Sequence, residues 1–240
     1  MKINELMDRV LFALSVPKCV CCHKRLDYGD KALCPKCSAK FEEFKSRNCS
    51  KCAKLLHKCD CSNEFLEGHF VRRVIKCFRY LDRDEATPGN SLIYSLKKDN
   101  RSDVLERCTD ELAEAIRSSV DKPEEYIFTN VPRRRSAIIE HGIDHSQLLA
   151  KSLAKRLGGK YVSLMRSNAR KPQKSLERTD RMKNARFYLI RKPDLKEKSV
   201  IIVDDIITSG ASISVAASLV RSLGAKNIIA ASLAIAYRDS

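Results

Sequence analysis

The segment VIIVDDIITSGAS, residues 200–212, constrains the fold more than any other part of the chain. A run of apolar residues suited to a buried strand leads straight into Asp204 and Asp205, and a turn of small residues around Gly210 follows. From residue 211 on, the apolar residues recur with helical spacing. A strand that passes through a tight turn into a helix is part of a βαβ unit, so we expect neighbouring strands to run parallel.

Strand-like and helix-like segments alternate along the chain from residue 71 on. The predicted strands cover residues 71–80, 126–131, 161–164, 187–190, 199–203 and 227–236, and the predicted helices cover residues 91–98, 104–118, 146–157 and 211–223. The polar, basic stretch 166–185 has no apolar period and is predicted to be a long loop. This order predicts an α/β fold with a parallel sheet covered by helices on both faces.

The N-terminal part of the chain is rich in cysteine. Nine of the eleven cysteines lie between Cys19 and Cys61. Eight of them form two sets, the first being Cys19, Cys22, Cys34 and Cys37 and the second being Cys49, Cys52, Cys59 and Cys61. Two paired cysteine motifs close around one tetrahedral Zn²⁺, so the sequence predicts one or two structural zinc ions with no open position for catalysis.

Several features of this region stay open at the level of the sequence. His57 is an alternative ligand in the second set, and redox-active thiols are the alternative to metal ligands for the whole cluster. Cys77 and Cys108 have strand-like and helix-like surroundings and are expected to be small buried apolar residues. We expect a short N-terminal helix and a cysteine-rich zinc-ribbon module in residues 1–65, followed by one larger domain in residues 66–240.

The chain is strongly basic, with a formal net charge of +16. Residues 131–186 contain 15 Lys and Arg against 4 Asp and Glu, a local excess of +11. This concentration favours a polyanionic partner, either nucleic acid or a phosphorylated small molecule, with a generally basic surface as the alternative. No apolar run reaches the ~18 residues of a membrane span. Glu5 and Asp8 make the N-terminus unlike a secretory signal, so we expect a cytoplasmic protein.

The turn after the two aspartates has the chemistry of a phosphate site. Free N–H groups and the dipole at a helix N-terminus attract phosphate, and Gly210 lets the backbone approach it closely. The predicted phosphate-binding residues are Thr208, Ser209, Gly210, Ala211 and Ser212. Because ligands bind beyond the carboxyl ends of parallel strands, Asp204 and Asp205 would meet the hydroxyls of the same ligand. A sugar phosphate fits this arrangement, and an Asp helix cap beside an unrelated Asp is the alternative.

Residues 200–212 resemble the ribose-5-phosphate signature of type I phosphoribosyltransferases. The resemblance implies that Asp204 and Asp205 engage the ribose hydroxyls of 5-phosphoribosyl-1-pyrophosphate (PRPP) and that the following turn holds its 5-phosphate. It also implies Mg²⁺ bound with PRPP, a flexible lid over the site in the loop 166–185, and unusual peptide geometry around Asn130 and Val131. The residues implied for the pyrophosphate and its loop are Val131, Pro132, Arg133, Arg135 and Arg166.

Two further segments narrow the family. TNVPRRRSAIIEHGIDHSQLLAKSLA (129–154) and RSNARKPQKSLERTDRMKNARF (166–187) are similar to ComF-type competence proteins, which also share the N-terminal double zinc ribbon. The chain departs from the family pattern at His141, where Arg is common, and at Ile143, Asp144 and His145, which replace Phe-Asn-Gln.

Three functions follow from these observations. The first, implied by the ComF resemblance, is a PRPP-binding protein that acts in natural transformation and binds single-stranded DNA, with a DNA-translocating helicase or other competence proteins as partners. Its expected DNA-binding residues are Arg133, Arg134, Arg135, Lys171 and Lys174. The second is an active phosphoribosyltransferase that releases pyrophosphate, with Asp204 and Asp205 as its catalytic residues. The third is a vestigial transferase fold whose zinc module docks another protein.

Overall fold

Five parallel strands form the central sheet of the structure, a computed structural model that describes residues 17–46, 49, 52–55, 58–59, 61, 66, 70–80, 87–168 and 187–236. In chain order the strands are β1 (Arg73–Arg79), β2 (Ile127–Asn130), β3 (Lys160–Tyr161), β4 (Met165–Ser167), β5 (Phe187–Leu189), β6 (Ser199–Ile207) and β7 (Asn227–Ile235). The sheet has the order β1-β7-β6-β2-β3, and its pairings are all parallel. The predicted parallel α/β fold is confirmed.

Six α-helices lie within the described residues. They are α1 (Pro35–Lys45), α2 (Pro88–Lys98), α3 (Ser102–Arg117), α4 (Arg135–His141), α5 (His145–Leu157) and α6 (Ala211–Ser222). Helix α2 begins three residues before its predicted start, because Pro88 fits the first turn and the Thr87 side chain accepts a hydrogen bond from the Asn90 N–H at 3.1 Å. Helices α1 and α4 were not predicted. The predicted helix at the N-terminus lies outside the described residues.

Alternate residues of the sheet strands face two hydrophobic clusters. Ile201 and Val203 of β6 belong to the cluster that contains α3 and α5, whereas Val200 and Ile202 belong to the cluster that contains α6. Successive residues of a strand point to opposite faces, so a strand that is covered on both faces must be apolar throughout. The apolar run before Asp204 therefore marks a strand in the middle of the sheet.

Helix α1 connects the first cysteine set to the sheet. The rings of Phe41 in α1 and Phe78 in β1 pack edge to face with their centroids 5.4 Å apart. Cys19 and Cys37 belong to the same cluster as these rings. Lys45 also forms an ion pair with Glu111 of α3. The first cysteine set thus shares one continuous core with the sheet, while the boundary after residue 65 stays a prediction.

The long predicted loop begins and ends in a short antiparallel ribbon. Strands β4 and β5 pair so that Met165 lies opposite Leu189 and Ser167 opposite Phe187. The sequence predicted residues 166 and 167 to be part of the loop, but they belong to strand β4. Residues 169–186 lie outside the described residues.

Two cysteines outside the metal-ligand pattern are buried, as predicted. Cys77 in β1 and Cys108 in α3 are each 2% exposed. Burial raises the pKa of both thiols, so both stay protonated at neutral pH.

A separate finding concerns membranes: within the described part of the chain, no helix combines the length and the apolar character that a membrane span requires.

Candidate functional site

Asp204 and Asp205 are the sixth and seventh of the nine residues of β6, and the strand continues beyond them to Ile207. The sequence predicted that this strand ends at Val203. The difference arises because the pairing with β2 stops at Asn130 opposite Val203, whereas β7 pairs with β6 as far as Ile207. The two aspartates therefore sit on a strand that projects past its neighbour β2, at the carboxyl edge of the sheet.

The predicted phosphate turn follows β6 and leads into α6. Gly210 is the N-cap of α6 and has φ +81°, a left-handed conformation that favours glycine. Ala211 donates its N–H to Ser209 Oγ at 3.4 Å. The turn borders a small cavity of about 50 Å³, which is lined by Asp204, Ile206, Ile207, Thr208, Ser209, Gly210, Ser212 and Ile213. One aspartate and the phosphate turn thus share a cavity.

Asp204 is held by groups that donate hydrogen bonds to one of its oxygens. Ser146 Oγ of α5 donates to Asp204 Oδ1 at 3.0 Å, and the backbone N–H of Asp205 donates to the same atom at 2.9 Å. Burial, together with the neighbouring charge of Asp205, raises the pKa of Asp204 to about 8. Asp204 is therefore largely protonated at neutral pH in the absence of a ligand.

Asp205 forms ion pairs with two cations from different elements. Lys97 Nζ of α2 lies 3.0 Å from Asp205 Oδ2, and an Arg133 guanidinium nitrogen lies 3.3 Å from the same oxygen. Burial acts to raise the pKa of Asp205, but these two cations outweigh it and hold the pKa below its usual value. Asp205 is only 6% exposed and is not among the residues that line the cavity. The two adjacent carboxyl groups thus differ in charge and in surroundings.

The segment after β2 approaches the same edge of the sheet. Val131 and Pro132 are buried, Arg133 and Arg134 are half-buried, and Arg135 is exposed at the start of α4. The structure brings Arg133 to the aspartate pair through the contact with Asp205. None of the described peptide bonds is cis, so the unusual peptide geometry that the resemblance implied is not observed here.

Two residues that depart from the ComF pattern have structural roles. Asp144 is the N-cap of α5, where its Oδ1 accepts the Gln147 N–H at 3.1 Å, and its Oδ2 accepts the backbone N–H of Arg133 at 3.3 Å. His145 is 1% exposed, with Nε2 2.9 Å from Asn100 Oδ1. Asp144 thereby links the segment that carries Arg133 to the start of α5.

Other predicted residues are placed differently. Arg166 is exposed in β4 opposite Tyr188, and its side chain is not among the described groups that contact Asp204 or Asp205. Lys171 and Lys174, two of the expected DNA-binding residues, lie outside the described residues, as does His57.

The structure also brings two unpredicted residues to the site, Lys97 and Ser146. Ser146 lies in the segment 129–154, which resembles ComF-type proteins, so that resemblance was a sequence signal for a site residue here. Lys97 stands near the end of α2, after its apolar residues, and nothing in the sequence distinguishes it from other polar residues. Only the packing of α2 onto the sheet brings it to Asp205.

The eight predicted metal ligands come together as two separate groups of four. The groups are Cys19, Cys22, Cys34 and Cys37, and Cys49, Cys52, Cys59 and Cys61, and within each group all four sulfur atoms lie within 4.8 Å of one another. Sulfur atoms bound to one tetrahedral Zn²⁺ are separated by ~3.8 Å, given the Zn–S bond length. The sulfur atoms of Cys22 and Cys34 are 3.6 Å apart, so the all-sulfur donor set fits a closed structural zinc site.

Comparisons with known proteins support the same class of fold. The phosphoribosyl transferase domain family matches residues 144–239. The chain is similar to the competence protein ComFC of Streptococcus pneumoniae (strain ATCC BAA-255 / R6), with 26% identity over 203 residues that cover 83% of this chain and 86% of that protein.

Solved phosphoribosyltransferases overlap the structure in part. The purine phosphoribosyltransferase of Pyrococcus horikoshii Ot3 has 26% identity and a TM-score of 0.36, over 55% of this chain and 72% of that one. The adenine phosphoribosyltransferase of Thermoanaerobacter pseudethanolicus ATCC 33223 has 22% identity and a TM-score of 0.39, over 57% of this chain and 83% of that one.

The protein is thus a parallel α/β protein with two cysteine groups near its N-terminus, and its residues 144–239 match the phosphoribosyl transferase domain. Within this class, the predicted resemblance to ComF-type competence proteins is confirmed by the similarity to ComFC, which extends over most of the chain.

Proposed function

We propose that this protein binds PRPP through the cavity at the end of β6. The 5-phosphate would lie against the N-terminus of α6 and the turn of residues 208–212, and the ribose hydroxyls would meet Asp204. The observation that carries this proposal is that Asp204 and the phosphate turn line the same cavity. A sugar phosphate needs a carboxyl group and a helix N-terminus at such a short separation.

Asp205 has a supporting part in this proposal. Its ion pairs place Lys97 and Arg133 beside the aspartate pair, where two cations suit the pyrophosphate group of the ligand. Val131, Pro132 and Arg135 would form the rest of the pyrophosphate segment, with Arg166 contributed from β4. Bound Mg²⁺ would neutralise part of the pyrophosphate charge through oxygen ligands.

Calorimetry with PRPP and Mg²⁺ tests this site directly. S212D places a negative charge at the proposed phosphate position, while an acidic residue at a helix N-terminus is compatible with the fold. We expect binding to the wild type and at least tenfold weaker binding to S212D. S222D introduces the same residue at the other end of α6 and should bind within twofold of the wild type. Absence of heat with the wild type, or equal binding by S212D, contradicts the proposal.

The second part of the proposal concerns the role of the protein in the cell. The similarity to ComFC supports a cytoplasmic function in competence and natural transformation, with incoming single-stranded DNA as the larger partner. The excess of basic residues in 131–186 suits a phosphate backbone. Within the described residues, Arg134 and Arg135 are better placed for DNA than Arg133, which is held by Asp205. A DNA-translocating helicase or other competence proteins would be further partners.

Salt-dependent binding of a labelled oligonucleotide tests the DNA partner. R134E/R135E should weaken binding and lower the slope of log K against log salt by about 1.4, because each contact to a single-stranded phosphate contributes ~0.7. K196E/K198E makes the same change of charge at two exposed lysines outside this basic stretch, directly before the start of β6. If both variants weaken binding equally, the DNA is attracted by net charge alone and the proposed contact surface is wrong.

An active phosphoribosyltransferase is the second candidate, favoured by the match to the phosphoribosyl transferase domain. In that case the protein would transfer the phosphoribosyl group from PRPP to an acceptor and release pyrophosphate. PRPP-dependent release of pyrophosphate should be measured with single-stranded DNA, nucleobases and ammonia as acceptors. Release that depends on one acceptor supports an enzyme, and release with none of them supports a PRPP-binding protein.

A further inference from the structure

A buried lysine connects β1 to the second cysteine group. Lys76 is 1% exposed in the middle of β1. Its ammonium group donates hydrogen bonds to the backbone carbonyls of Cys59 and Cys61, both at 2.7 Å. Its neighbours in the strand, Ile75 and Cys77, belong to the hydrophobic cluster that contains α3 and α5. The lysine therefore faces the second cysteine group.

No carboxylate of the described residues balances the charge of this ammonium group. Lys76 forms no ion pair with a carboxylate of the described residues, and backbone carbonyls carry no net charge. A charged group that is fully removed from water is costly unless an opposite charge lies nearby. Negative charge in the region around Cys59 and Cys61 would therefore stabilise a charged lysine in this apolar strand.

The second cysteine group can supply that charge. Its four sulfur atoms lie within 4.8 Å of one another, and Zn²⁺ bound by four thiolates carries a net charge of −2. The two carbonyls that Lys76 contacts belong to two of these four cysteines. A metal–thiolate centre of charge −2 would therefore include the side chains of the same two cysteines whose backbone carbonyls accept the hydrogen bonds of Lys76.

We propose that Lys76 is the counter-ion of the second metal–thiolate centre and fastens this centre to the edge of the sheet. The two cysteine groups are then anchored by different means. The first group is anchored by the apolar contact between Phe41 and Phe78, and the second group by charge and by two hydrogen bonds. This proposal is independent of PRPP and of DNA.

Alkylation of individual cysteines, measured by mass spectrometry on the zinc-loaded full-length protein, tests the role of Lys76. K76M should increase the alkylation rate of Cys49, Cys52, Cys59 and Cys61 at least tenfold. The rates of the first cysteine group should change less than twofold. K31M alters an exposed lysine that pairs with Glu106 near the first group, and it should leave both groups unchanged. Rates within twofold of the wild type for the second group of K76M overturn the proposal.

Two internal checks separate this effect from a general loss of structure. Cys77 and Cys108 are buried in the core, so their alkylation in K76M reports unfolding of the sheet. If they react, K76Q replaces K76M as the deciding variant, because its amide keeps hydrogen-bond donors but has no charge. Faster alkylation of the second group in K76Q, with Cys77 and Cys108 protected, supports the counter-ion role. Alkylation of K76Q at the wild-type rate overturns it.

Two further measurements decide where the opposite charge resides. Asp60 stands between Cys59 and Cys61 in the sequence and lies outside the described residues. D60N should retain the wild-type alkylation rate if the metal–thiolate centre balances Lys76. An effect of D60N equal to that of K76M overturns the proposal in favour of Asp60. Native mass spectrometry that finds no metal in the second group of the wild type overturns it as well.

Discussion

Two neighbouring carboxyl groups in one strand have opposite pKa shifts. Burial and the charge of Asp205 raise the pKa of Asp204 to about 8, whereas Lys97 and Arg133 contact one oxygen of Asp205 and hold its pKa below the usual value. Two carboxylates side by side in a partly buried site repel each other, and this arrangement relieves the repulsion by neutralising one of them. Adjacency in the sequence therefore does not mean equal roles at the site.

The raised pKa of Asp204 predicts how stability depends on pH. In the unfolded chain Asp204 loses its proton near pH 4, but in the folded protein it keeps the proton up to about pH 8. The folded state therefore binds one more proton between these values, and its free energy of unfolding should fall by up to about 1.4 kcal/mol per pH unit as the pH rises. Urea unfolding of D204N, compared with the wild type from pH 4 to 9, should lack this fall.

Asp205 provides the matched contrast. Its pKa is lowered in the folded state, so its contribution to stability is present above about pH 4 and is lost as the pH falls below that value. D205N should remove this acid limb and also narrow the fall above pH 4, because the charge of Asp205 is one of the causes that raise the pKa of Asp204. If D204N retains the fall between pH 4 and 8, then another group titrates there and Asp204 is charged in the folded protein.

Lys97 is predicted to support ligand binding. K97M removes one of the two cations beside Asp205 and should weaken PRPP binding about tenfold, which corresponds to ~1.4 kcal/mol. Lys98 is the adjacent lysine and contacts Tyr94 instead, so K98M should bind PRPP within twofold of the wild type. Calorimetry gives both affinities. Equal losses in the two variants would show that only the general positive charge of α2 matters.

At the scale of elements, α1 shows how a helix can be concealed by a metal-ligand pattern. It begins at Pro35, directly after Cys34, and carries the predicted metal ligand Cys37 in its first turn. Its buried residues Cys37, Phe41 and Phe44 recur at intervals of four and three, which is the spacing of an amphipathic helix. The cysteine spacing and this helical spacing overlap in the same short segment, so the metal-ligand pattern obscures the helix.

Phe41 should therefore contribute strongly to global stability. F41A removes a fully buried ring between α1 and Phe78 and is expected to lower the free energy of unfolding by about 3–5 kcal/mol. Phe70 is 56% exposed, and F70A is the matched control with an expected change below about 1 kcal/mol. Denaturant unfolding measures both. A small effect of F41A would mean that α1 contributes little to the stability of the sheet.

At the scale of the whole molecule, the two cysteine groups differ in their connection to the sheet. The first group belongs to the same core cluster as α3, α5 and β1. Cys49 and Cys59 of the second group form a small cluster of their own, against which Cys52 and Cys61 pack. If both groups hold metal as predicted, its loss from the first group should affect the entire fold, and its loss from the second group should have a more local effect.

Thermal unfolding of two double variants measures this difference. C34S/C37S should lower the unfolding midpoint of the whole protein by about ten degrees or more. Loss of a structural metal from a continuous core is expected to lower the free energy of unfolding by an amount on the order of several kcal/mol. C52S/C61S should cause a smaller decrease. The reverse order would show that the second group, and not the first, is the main support of the sheet.

The sequence alone determined the features that depend on local pattern. The apolar run before Asp204, the alternation of strands and helices and the spacing of the cysteines were enough to predict the parallel sheet and the two groups of four sulfur atoms, since period and spacing are properties of neighbouring residues. The turn at Gly210 was also evident, because glycine before a helical pattern marks such a bend.

Only the tertiary structure decided which side chains meet. Lys97, Arg133 and Ser146 come from three different elements, and they reach the aspartates because α2, α5 and the segment after β2 pack at one edge of the sheet. The length of β6 was likewise set by β7, which supplies hydrogen-bond partners beyond Val203. The charge of each aspartate follows from these contacts, since a pKa depends on burial and on neighbouring charges in space and not on neighbours in the chain.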